Sequence, residues 1–393
     1  MTKIPKKFTA TALAAFSFCL LSGTTFAADL EVIKEEEQAP VANYPLIEGS
    51  FVFELQNDFI FSSDDGDEFN DTFNTTEVAL DVKITDFFFL HTDITLEPVD
   101  NIDPVTGNPR SAVPPRTLGE NIFFEDHGFF FETLHFQFDY NNFSFYGGKI
   151  NPAFGSAWDV TPGIYGVDFA EDYEITERIG FGAGYTIEGG DAGEHTFNAA
   201  GFFADTSVLS ESFGTNRGRT NLAAGGASNT ESIESFALAL DGTEIAALPG
   251  FSYNLGFRYQ TAGVGDFGDD TGFAAGFLQE VDVNEDVALA FNGEVAYFNN
   301  FDGGPADVLY GTVGAGAEYE KWFANAAFSV REIDGSAGNP NFTDLQFQTG
   351  VGREVFENAT FEVGYRFLRE ENNDSHTLGA FFVYETDFQI LRP

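Results

Sequence analysis

The residues able to do chemistry gather in one stretch. Residues 152–174 carry five carboxylates (Asp159, Asp168, Glu171, Asp172 and Glu174) among two prolines and five aromatic rings. Grouped carboxylates can move protons, hold a hard cation, or concentrate cations by their field. A second acidic group, Asp64, Asp65, Asp67, Glu68 and Asp71, offers oxygen ligands, but its spacing does not fit an EF-hand loop. A solvated loop that repels polyanions is the simpler reading. The five histidines, His91, His127, His135, His195 and His376, sit in no metal or nucleophile motif, and there is no G-x-S-x-G and no H-E-x-x-H. A Ser/His pair assembled across strands is the one catalytic route left open, and the expectation is a protein that is not an enzyme. The glycine-rich GFGAGY and GTVGAGAEY lack a following helix pattern, so phosphate binding is weakly supported and no cofactor is implied. Metal sites are not expected either.

Those residues need a scaffold, and composition narrows it. Lys3, Lys6 and Lys7, the apolar run Thr11–Leu21 and Thr25-Phe26-Ala27 read as a signal peptide over 1–27. The only cysteine, Cys19, lies within it, so a mature chain would have no disulfide or thiolate. Phe18 stands where a lipoprotein signal needs a small residue. Losing three lysines and no acids takes the formal charge from −45 to −48, which excludes nucleic acid as a partner. Residues 28–45 form a short acidic periplasmic segment with two prolines. Phe (48) and Gly (42) favour pleated sheet, and no later stretch reaches the length of an apolar spanning helix. A soluble β protein and an outer-membrane β-barrel remain.

Both predict alternation, and strand length and loop pattern separate them. Residues 251–260, FSYNLGFRYQ, put Phe251, Tyr253, Leu255, Phe257 and Tyr259 on one face and Arg258 among polar residues on the other. Residues 77–84 set Lys83 opposite Val82, 178–188 set Arg178 opposite Ile179, and 361–367 set Arg366 opposite Phe367. In 345–353, Arg353 is expected opposite Val351, and Arg331 is expected inward in 322–333. Glu132 breaks its strand's apolar phase, which predicts a bulge or a rim position. Sixteen such segments are predicted, from 48–59 to 373–388, most of about 10–13 residues. That length suits a tilted membrane strand better than a sandwich strand. Short turns and long loops alternate between them, the pattern of a closed barrel with long external loops. Aromatics cluster at predicted strand ends, as interfacial girdles do.

Residues 143–155, FSFYGGKINPAFG, resemble the porin strand that ends in aromatic-x-aromatic, glycine and basic residues before the third external loop. Through it the chain resembles the trimeric 16-stranded outer-membrane porins of Gram-negative bacteria, over nearly all of 46–393 and in architecture more than identity. PGIYGVDF is similar in placement to the family's Pro-x-x-Gly-Gly element without matching it. The resemblance implies a homotrimer in the bacterial outer membrane, set in lipid and lipopolysaccharide. It also implies that loop 152–174 folds into the lumen and narrows it. The chain ends QILRP where the family ends on an aromatic, which leaves Phe388 as the candidate assembly signal.

The expected fold is thus an all-β transmembrane antiparallel barrel of about 16 strands. The expected function is passive diffusion of small hydrophilic solutes and ions, with cation preference from the charge. In that reading Asp159, Asp168, Glu171, Asp172 and Glu174 line the constriction, against the alternative of an ordinary external loop. Lys83, Lys149, Arg178, Arg258, Arg331, Arg353 and Arg366 line the wall, either generating a transverse field or forming salt bridges that stiffen it. The rivals are a selective channel for a sugar, phosphate or metal chelate, with Tyr146, Tyr165 and Tyr173 as contacts, and a non-conducting adhesive barrel.

Overall fold

A computed structural model describes residues 44–66, 68–99, 121–125, 127–214, 217–335 and 341–390. The expected signal peptide, most of the acidic segment and Asp67 lie outside the described residues.

Seventeen strands form among the described residues. They are β1 (Leu46–Ser63), β2 (Asn70–Thr85), β3 (Phe88–Pro98), β4 (Ile122–Phe123), β5 (His127–Tyr140), β6 (Phe143–Ile150), β7 (Arg178–Glu188), β8 (Glu194–Ala204), β9 (Ser235–Thr243), β10 (Phe251–Gln260), β11 (Asp270–Asn284), β12 (Val287–Asn299), β13 (Ala306–Tyr319), β14 (Trp322–Gly335), β15 (Phe342–Phe356), β16 (Ala359–Glu370) and β17 (Asn373–Ile390). The two-residue β4 adds to β2 in parallel, outside the main circuit. The other sixteen pair antiparallel in sequence, and β17 returns to β1 with Gly49 opposite Phe388 and Phe59 opposite Leu378. The result is a closed 16-stranded barrel of the outer-membrane type. Closure satisfies every strand edge, as hydrocarbon demands.

Alternation sorts the side chains. Leu255, Phe273, Val295, Val313 and Val351 point outward and are about half exposed, while Asn254, Arg258, Asn292 and Glu294 point inward and are buried. A continuous apolar outer surface is a liability in water and suits a lipid surround. Glu132 is the bulge its broken phase predicts: Asp93 pairs with Thr133 and Ile94 with Phe131, which leaves Glu132 as the extra residue. The last strand runs past Phe388 to Ile390, so part of QILRP extends β17.

At one end the connections are short, such as 86–87, 141–142, 285–286 and 320–321. The other end carries 99–126, 151–177 and 205–234. One short connection stands where the predicted segments 359–370 and 373–388 leave it. Glu371 and Asn372 join β16 to β17 at the long-loop end as a two-residue hairpin, both at positive φ (50° and 68°), the geometry that matches strand twist.

The lumen is not uniformly open. The segment 151–177 turns inward and packs on the inner wall of β8 to β14. Its Phe154, Ala157, Phe169, Tyr173 and Ile175 join Phe202, Ala296, Phe298, Val308 and Tyr310 in one apolar core inside the barrel. Burying a side chain of Phe or Ile size contributes about 1.5–3 kcal/mol, so this contact is ample to hold the loop. One half of the barrel is therefore filled, and the half bounded by β1, β2, β3, β5, β16 and β17 stays open.

Candidate functional site

The inturned segment carries two single-turn helices, α1 (Ala157–Val160) and α2 (Asp168–Glu171), joined by a tight stretch at Pro162-Gly163. Gly163 has φ +101°, and a β-carbon there would meet the Gln348 amide at 2.0 Å. Only glycine lets the backbone lie that close to the wall. Gln348 Nε2 donates to the Pro162 carbonyl at 2.7 Å, and Gln346 Nε2 donates to the Tyr165 carbonyl.

The ends of the segment share one acceptor. Glu294, on β12 and 4% exposed, accepts from the Ser156 amide at 2.7 Å, the Ser156 hydroxyl at 3.0 Å, the Ala157 amide at 3.2 Å and the Tyr173 hydroxyl at 2.6 Å. The tip reaches the opposite wall, where Tyr165 Oη donates to Asp58 Oδ1 of β1 at 2.6 Å.

Three wall arginines touch the loop directly. Arg258 donates from Nη1 to the Tyr173 carbonyl and pairs through Nη2 with Asp270, both at 2.7 Å. Arg331 pairs with Asp172 at 2.7 Å and with Asp344 and Glu370 at 2.8 Å. Arg366 pairs with Asp168 at 2.7 Å and lies over the Tyr165 ring at 4.4 Å. Of the two expected arrangements, a transverse field and salt bridges that stiffen the wall, the direct contacts are of the second kind.

The other basic residues meet only the last residues of the segment or lie away from it. Lys83 pairs with Glu48 at 2.5 Å near the short-turn end. Arg178 donates to the Thr176 carbonyl at 2.8 Å. Lys149 is fully enclosed, with Glu177 at 2.7 Å and Asp205 at 3.1 Å. Arg353 corrects the expected inward placement: strict alternation keeps it in the outward phase of Val351, where its guanidinium stands 5.1 Å from the Trp322 ring.

The five loop acids divide. Asp159 is buried (2% exposed) and Asp172 is bound to Arg331. Asp168, Glu171 and Glu174 line a cavity of about 510 Å³ in the open half of the lumen. Across that space the wall presents Glu54, Glu77, Glu97 and Glu132, and Glu177 and Glu362 also line it, whereas no lysine or arginine among the described residues does. Enclosure raises the Asp168 carboxyl to about 6 despite the opposing charge of Arg366. Enclosure, then repulsion from Asp168 and Glu97, pushes Glu171 up to about 8. Enclosure and then Glu132 raise Glu174 well above the ordinary carboxylate range.

Sequence reading missed Glu54, Glu97 and Glu294 as site residues, although each sits on an inward phase of its strand, which is the signal that could have found them. Tyr146, Tyr165 and Tyr173 are 6%, 1% and 1% exposed, packed among loop and wall side chains.

No protein-family model matches the sequence, and no curated protein matches it. Solved structures do share the fold. The outer membrane protein OpdK from Pseudomonas aeruginosa aligns with a TM-score of 0.52 at 9% identity, over 87% of this chain and 99% of that one. The outer membrane channel DcaP of Acinetobacter baumannii gives 0.52 at 10%, over 89% and 100%. A loop-deletion mutant of OmpT, an outer membrane protein of Vibrio cholerae, gives 0.51 at 11%, over 86% and 99%.

Proposed function

We propose that this protein is an outer-membrane channel through which small hydrophilic cations diffuse passively. One observation carries the reading: the open half of the lumen has carboxylates on the loop and on the facing wall, and no basic residue among the described residues lines it. Once ionised, carboxylates along a narrow path give it charge of one sign, which raises the local concentration of counter-ions and excludes co-ions. The arginines that would oppose this field are spent on anchoring the loop. The fold shared with the DcaP channel is compatible with conduction. A homotrimer belongs to the same reading and rests on the porin resemblance.

Reversal potentials across a planar bilayer with a tenfold potassium chloride gradient test the proposal. The expected sign is that of potassium permeating faster than chloride. An anion-selective potential, or a sealed bilayer with inserted protein and no current, overturns it.

A further inference from the structure

The mouth of the lumen already holds a cation supplied by the chain itself. Arg217, on the long connection between β8 and β9, lays its guanidinium over the Phe130 ring at 3.7 Å from the centroid and pairs through Nη2 with Glu177 Oε1. Phe130 and Glu177 both line the open cavity. Lys149 Nζ holds the other oxygen of Glu177 at 2.7 Å, so the carboxylate keeps its position without help from Arg217. Phe130 is fixed too, being only 2% exposed on the inward phase of β5.

A flat aromatic face beside a positioned carboxylate is the pair of surfaces that recognises a planar organic cation: the ring attracts its face and the carboxylate takes its N–H edge. A bare metal ion uses neither the ring nor the planarity, and among the described residues no three His, Cys, Asp or Glu groups converge to hold one. Further rings, Phe73, Phe381 and Trp158, line the same cavity as the carboxylates. The whole path therefore offers apolar faces along with negative charge.

We infer that Phe130 and Glu177 form an entry seat for guanidinium-bearing and related organic ammonium solutes, and that Arg217 is a tethered competitor occupying the seat between solutes. This rests on the cation-channel reading and names its substrate class. Arg217 sets which solutes dwell at the seat in this scheme: a planar organic cation can displace it, while potassium passes without occupying it.

Calorimetry on the detergent-solubilised full barrel, with arginine methyl ester as the probe, tests the seat. R217Q should bind the ester saturably and about tenfold more tightly than wild type, a factor in the range that cation–π contacts carry. R217K keeps the ion pair but lacks the planar group, and should fall between the two. Adding F130L to R217Q should remove most of the gain. In bilayers the ester should block current at lower concentration in R217Q than in wild type. Equal affinity in wild type, R217K and R217Q, or saturable binding in none of them, overturns the seat and leaves Arg217 as a loop staple. Saturable binding in a barrel that carries no potassium current keeps the seat and sinks the channel reading instead.

Discussion

Glu294 accepts from both ends of one loop, so a change of a single atom there probes the whole constriction. Glu294→Gln keeps the shape but turns one acceptor oxygen into a donor that faces donors. Hydrogen bonds to a charged group contribute about 1.5–3 kcal/mol each, and several meet on this carboxylate. The expected outcome is a larger and noisier single-channel conductance with weaker cation selectivity, while the barrel still assembles. A second residue-scale expectation concerns protons. Asp168 is raised to about 6 and Glu171 to about 8. A raised carboxylate is neutral below its pKa and charged above it, so negative charge in the lumen grows as pH climbs through that window. Potassium-over-chloride selectivity should therefore increase from pH 5.5 to pH 8.5. Glu171→Gln should flatten the upper part of the titration, and an unchanged profile in that variant would place the responsible proton elsewhere.

Loop 151–177 behaves as an element with its own fastening. Arg331→Ala strips the partner from Asp172 and Asp344 at once. Breaking a buried pair in this way costs about 3–5 kcal/mol because the remaining charge is left unpaired. The loop should then become a cleavage site for protease added from the long-loop side, while the strands stay protected; peptide mapping reads this directly. At this scale the sequence was informative in some places and silent in others. Alternation every two residues fixed strand faces, and Glu132 showed its bulge because a charge cannot stay on a lipid-facing phase and an inserted residue takes it off that face. Arg353 was misplaced because its charge suggests the polar face of Gln346, Gln348, Gly350 and Gly352, whereas its position two residues after Val351 puts it on the outward face. The acids that divide between anchoring and lining could not be sorted, since Asp168 and Asp172 are four residues apart on one helical turn and differ only in which wall arginine approaches. The Glu294 clamp joins positions more than a hundred residues apart, and no local pattern encodes that approach. The Glu371-Asn372 hairpin was legible, since the predicted segments 359–370 and 373–388 leave only those two residues between them, although a turn this short at the long-loop end departs from the expected alternation of loop lengths.

For the whole molecule, the filled half and the open half divide the labour. The filled half obeys the packing rules of a soluble core, and the open half is a cavity lined by carboxylates. Screening acts on the second alone: the Debye length falls from about 10 Å at 0.1 M salt to about 3 Å at 1 M. Cation selectivity should accordingly shrink between those salt concentrations, while thermal stability changes little. Selectivity that persisted undiminished at 1 M would point to direct site binding rather than to the field. The tip of the loop adds a consequence for the closure of the ring. Tyr165 touches Asp58 of β1 and sits where a β-carbon on Gly379 of β17 would strike its hydroxyl oxygen at 2.3 Å. These are the first and last of the described strands, and they pair with each other where the ring closes. The tip therefore spans the join that completes the ring, as a keystone set from within. The same tyrosine thus ties the inturned segment to both strands of the seam at once, so loosening either strand there also loosens the loop.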